Sequence, residues 1–130
     1  MRLDLGGTSQ FMDDPGAISI SIDGSKMEED DDLAQVVVGD YNFMPFAAGS
    51  FDEIRGCCYA EDIVNPFALW HAAKQGCRLW VRGCSVTKYA ADALVRLLQD
   101  VGFVIDEYIP PTYTDDMGWE LEEGITFHRP

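Results

Sequence analysis

Hydrophobic positions along this chain fall in short runs broken by glycine, proline and aspartate. That is the pattern of strands alternating with helices or loops. Arg2–Leu5 is a short apolar start closed by Gly6 and Gly7. Residues 18–22 alternate strictly between isoleucine and serine and stop at Asp23-Gly24. Residues 34–38 form a β-branched run that ends at Gly39-Asp40. Further strands are predicted over 51–59, 78–82, 103–109 and 119–127, the last with a break at Gly124. Two helices are signalled. One starts at Asn65-Pro66, with Asn65 as N-cap and proline at the first helical position, and ends before Gly76. The other runs from about Thr87 to Asp100, with Gly102 as its stop and Ala91, Leu94, Leu98 and Val101 on one stripe.

The connections after the first and second strands look too poor for full helices. Pro15 and Gly16 interrupt the first, and the acids of 28–32 repel one another in the second. Both are expected to be loops or single turns. A parallel sheet needs cover on both faces. Missing helices therefore predict a homodimer, or a larger protein partner, on the side of the first three strands, unless Phe11, Met12 and Met27 pack down over it.

The length of 130 residues suits a single domain spanning 1–130. Nine Lys and Arg against 23 Asp and Glu give a formal charge of −14. This argues against direct nucleic-acid binding and against docking on an anionic membrane. No secretory signal or membrane span is read in the sequence, and the expected location is cytoplasmic. Cys57, Cys58, Cys77 and Cys84 lack paired CxxC spacing, so they are read as reduced, packed thiols and no metal site is expected.

Open α/β sheets bind ligands outside the carboxyl ends of their strands. Gly6 and Gly7 stand after the first strand, where backbone N–H groups can face a ligand. Asp23, after the second, suits two ribose hydroxyls. Asp40 and Tyr41, after the third, suit an exocyclic amine and a stacked base. Tyr59, Glu61 and Asp62 follow the fourth. His71 is read as an ordinary helix residue, His128 as carrying no specific role, and Trp70, Trp80 and Trp119 as core or interface rings.

Together these residues resemble the class I S-adenosylmethionine-dependent methyltransferases. The stretch Leu3-Asp4-Leu5-Gly6-Gly7-Thr8-Ser9 is similar to that family's acidic residue and glycine turn. The run from Gly39 through Asp40, Pro45-Phe46 and Ser50-Phe51-Asp52 to Ile54 is the strongest match, and 94–104 resembles the last helix entering strand six. The resemblance implies a three-layer, Rossmann-like α/β sheet, mostly parallel with an antiparallel last strand and with the first two crossover helices shortened or missing. It implies S-adenosylmethionine as cofactor, held by Asp4, Gly6, Gly7, Asp23, Asp40, Tyr41 and Phe46. It also implies methyl transfer to a small-molecule or protein acceptor, with Tyr59, Glu61 and Asp62 facing that acceptor. The turn departs from the family's GxGxG spacing. A non-catalytic, methyltransferase-like scaffold or partner subunit is therefore the alternative. A phosphoacceptor receiver domain is a weaker one, because two glycines stand where it needs an acidic pair.

Overall fold

The computed structural model describes residues 1–5, 16–21, 35–40, 42–57, 63, 65–82, 88–109 and 124–130. Seven strands and two helices follow in chain order: β1 (Arg2–Leu5), β2 (Ile18–Ser21), β3 (Gln35–Val38), β4 (Phe51–Cys57), α1 (Pro66–Ala72), β5 (Ala73–Arg82), α2 (Lys88–Asp100), β6 (Val104–Ile109) and β7 (Gly124–His128). They build one sheet in the order β3-β2-β1-β4-β5-β7-β6. β1 pairs in parallel with β2 and with β4, β2 with β3, and β4 with β5. β7 is antiparallel to both β5 and β6. This is the expected mixed sheet with an inverted last strand. The connections at 6–15 and 22–34, where shortened crossovers are expected, lie outside the described residues.

β1 is buried on both faces: Leu3, Asp4 and Leu5 are all inaccessible. That is the normal state of a central parallel strand. Its leucines join Ile20, Phe51, Ile54, Leu69, Leu79, Leu98 and Phe127 in one core. Right-handed crossovers in the same direction put α1 and α2 on one face. Trp70 of α1 meets Phe103, just beyond the end of α2, edge-on with ring centroids 5.1 Å apart.

α2 ends as the sequence predicts. Gly102 adopts φ +119°, its N–H bonds to Gln99 O, and the Phe103 N–H bonds to Leu98 O. This pair of bonds satisfies the last carbonyls of the helix, and Phe103 packs back over it. A side-chain carbon at Gly102 would lie 2.8 Å from the Trp70 ring, so the turn and the ring contact require the same glycine.

Helix α1 departs from the expected boundaries. It ends at Ala72 rather than before Gly76, and β5 begins at Ala73 instead of Arg78. Ala73 pairs with Phe51 and Arg78 with Glu53, so β5 carries extra residues, among them Gly76 at φ +86°. The Arg129 backbone fills that irregular stretch: Gly76 donates to Arg129 O, and Arg129 donates to Cys77 O. Asn65 also differs from expectation, for its side chain makes no capping bond to α1.

Candidate functional site

β1, β2 and β3 end in register: Leu5 lies beside Ile20, and Ser21 beside Val38. The carboxyl ends of the three strands therefore lie along one edge, within about 10 Å, two strand spacings. The strand order runs outward in opposite directions from the β1–β4 pair, and open α/β sheets bind ligands at the carboxyl ends of the strands beside such a switch point.

Asp40, two residues beyond β3, is half-buried at this edge. Its Oδ1 accepts from the Asn42 N–H at 2.9 Å, and its carbonyl accepts from the Phe43 N–H at 2.9 Å. A turn closed by both side chain and backbone holds the carboxylate in one orientation. Asn42 is buried. Its Oδ1 accepts from the Asn65 N–H at 3.0 Å, and its backbone O accepts from Asn65 Nδ2 at 2.9 Å. Two loops 23 residues apart in sequence, one leaving β3 and one entering α1, are thus bolted together. A second tie lies further along, where the Gly49 N–H donates to His71 O at 2.9 Å.

Asp4 is buried in the middle of the sheet, and the hydroxyl of Ser19 on β2 donates to its Oδ2 at 3.4 Å. Phe46 turns inward, its ring perpendicular to Phe51 at a centroid distance of 4.9 Å. Among the expected site residues, then, the structure places Asp4 beneath the edge, Asp40 on it and Phe46 against the core behind it. Gly6, Gly7, Asp23, Tyr41, Tyr59, Glu61 and Asp62 lie outside the described residues. Asn42 was not singled out by the sequence. Its only signal is a polar residue inside an otherwise apolar, uncharged stretch.

Elsewhere, His71 is exposed on α1, as an ordinary helix residue would be. His128 Nδ1 lies 2.7 Å from Asp106 Oδ1 across β6 and β7, remote from this edge in the strand order. Cys77 is buried, and burial, then the nearby Asp52 and Glu53 carboxylates, push its thiol up to about 12. Such a thiol is a packing group and not a nucleophile.

No protein-family model and no curated protein matches the chain. Solved structures do. The [4+2]-cyclase SpnF aligns with a TM-score of 0.74 and 13% identity, over 99% of this chain and 74% of that one. A SAM-dependent methyltransferase from Methanosarcina mazei aligns with a TM-score of 0.73 and 14% identity, over 98% and 91%. A putative methyltransferase in complex with the Haloferax volcanii Trm112 methyltransferase activator aligns at 0.69 and 14%, over 99% and 82%. The chain has the fold of the class I S-adenosylmethionine-dependent methyltransferases.

Proposed function

We propose that the chain binds S-adenosylmethionine along the β1–β3 edge and transfers its methyl group to an acceptor held beyond β4. The observation that carries this reading is Asp40. Its carboxylate is fixed at the end of β3, on the edge where this sheet order opens its crevice.

The donor set suits an adenosyl ligand. Asp40 can accept from an exocyclic amine, and Asp23, expected after β2, from ribose hydroxyls. Asp4, two residues before Gly6 in sequence, is buried and accepts from the Ser19 hydroxyl. Phe46, packed on Phe51, stiffens the loop behind Asp40. Tyr41 supplies a ring for stacking. When bound, the sulfonium supplies an already activated methyl group. The protein's task is therefore to orient a nucleophile and exclude water, and no dedicated acid or base is required. Tyr59, Glu61 and Asp62 follow β4 and are assigned to the acceptor side. The Asn42–Asn65 pair ties the Asp40 loop to the segment entering α1, so both sides of the crevice share one support.

A second reading is a methyltransferase-like module without catalysis. It is favoured by the Gly6-Gly7-Thr8-Ser9 turn, which lacks alternating glycines. The likeness to a [4+2]-cyclase also shows that this fold carries more than one chemistry. Titration calorimetry of the purified chain with S-adenosylmethionine separates the two. Saturable heat, together with S-adenosylmethionine or S-adenosylhomocysteine released from the purified protein by mass spectrometry, supports the enzyme. A folded protein that gives no heat removes it.

A further inference from the structure

Phe43 and Phe67 are the two most exposed large apolar side chains among the described residues, at 76% and 66% accessible. They belong to different segments, yet the segments are joined. Asn42, next to Phe43, is bonded to Asn65, two residues before Phe67. Gly49, at the far end of the β3–β4 connection, is bonded to His71 near the end of α1. The connection is therefore strapped alongside α1 at both ends. Its outward positions are apolar: Pro45, Ala47 and Ala48 are exposed together with Phe43, while Met44 and Phe46 pack inward.

The composition of this face is unlike the rest of the molecule. Residues 41–51 and 63–73 contain no Asp, Glu, Lys or Arg, in a chain that is 25% charged. Asp40 and Asp52 bound the first stretch, and Asp62 and Lys74 the second, with Lys74 paired to Asp52 at 3.7 Å. An apolar centre with aromatic side chains and few charges, inside a charged rim, is the make-up of a protein–protein contact.

We propose that the strapped face carrying Phe43 and Phe67 docks a protein partner through an apolar segment flanked by lysines or arginines. The choice of occupant follows from charge and shape. A charge of −14 disfavours a second copy of this chain, nucleic acids and anionic lipid surfaces relative to a basic partner. Small-molecule sites are concave and bury most of their ligand, whereas these two rings stand out from the surface. Phenyl faces also attract ammonium and guanidinium groups. Because the two ties fix the backbone that carries both rings before binding, docking loses little loop entropy.

The test uses the whole chain and a fluorescein-labelled amphipathic peptide of leucine and lysine, with a leucine and glutamate counterpart. Fluorescence anisotropy should show saturable binding of the lysine peptide and none of the glutamate peptide. The double variant Phe43→Ser, Phe67→Ser removes exposed rings only, so its circular dichroism should match the parent. Its affinity for the lysine peptide should fall by about tenfold or more. Equal binding by parent and variant would reduce the effect to general charge attraction and overturn the proposal, as would no binding by the parent. Sedimentation showing a dimer that the double variant loses would overturn it in favour of self-association. Flotation with phosphatidylcholine vesicles that depends on the two rings would overturn it in favour of a membrane.

Discussion

Asn42 and Asn65 hold each other by two reciprocal hydrogen bonds, side chain to backbone in each direction, at 3.0 and 2.9 Å. Replacing either asparagine removes a hydrogen-bond partner from the other. Asn42 is buried, and the loss of a partner costs more there than at a wet site. Asn42→Ala should destabilise the chain by about 2–3 kcal/mol in urea unfolding, and Asn65→Ala by about 1–2 kcal/mol. In a double-mutant cycle the two should couple by about 1 kcal/mol or more. Because each substitution removes a different one of the two bonds, additive effects would mean that the bonds act independently rather than as one unit.

Asp40 separates binding from folding. Asp40→Asn keeps an oxygen that can accept from the Asn42 N–H, so the turn survives. The thermal midpoint should change by no more than a degree or two, while affinity for S-adenosylmethionine in calorimetry should fall by about tenfold, about 1.4 kcal/mol. Unchanged affinity would count against the proposed cofactor edge.

Gly102→Ala should be among the most damaging small substitutions. The residue sits at φ +119°, and the added carbon would lie 2.8 Å from Trp70. Backbone strain alone costs about 1–3 kcal/mol. A Trp70→Ala background removes the steric part and should shrink the loss, which thermal unfolding of the four variants would reveal.

Cys77 gives a pH signature. Its thiol ionises near 9.0 when unfolded and near 12 in the native chain, chiefly because it is buried. The native state thus resists ionisation that the unfolded state accepts. The contribution is complete below about pH 9 and declines as pH rises towards 12, by at most about 1.4 kcal/mol per pH unit. Cys77→Ala should be less stable at pH 7 by about 1 kcal/mol, and the gap should narrow with alkalinity. Peptide mapping after iodoacetamide should find Cys77 unlabelled in the native chain and labelled in urea.

Arg129 anchors the end of β7 to α1. Its Nη1 donates to Trp70 O and to Ala73 O, both at 2.7 Å, and its guanidinium lies 4.2 Å from the Trp70 ring centroid. Arg129→Lys keeps the charge but not the planar fork. It should recover less than half of the loss caused by Arg129→Ala, about 2–3 kcal/mol in urea unfolding.

These relationships show which parts of the molecule were legible in the sequence. β1–β3 and α2 follow from apolar runs closed by Gly6, Gly24, Gly39 and Gly102, and such signals are local. β5 was misjudged at its start because Ala73, Lys74 and Gln75 have little strand preference of their own. Ala73 is recruited by pairing with Phe51, a tertiary effect. Capping logic looks only along the chain and so points Asn65 at α1. Its actual partner, Asn42, is 23 residues away. For the site, the position of Asp40 was legible as a strand end, whereas the network that fixes it was not.

The strand order also sets a schedule for synthesis. In the sheet, β6 is hydrogen-bonded to β7, and β7 stands between it and β5. As a nascent chain leaves the ribosome, β1 to β5 can assemble side by side, but β6 must wait for residues translated after it. Until Gly124–His128 arrive, the edge of β5 that will receive them stays open. The far third of the sheet therefore forms in one late event, with β7 inserting beside β5 and bringing β6 into place.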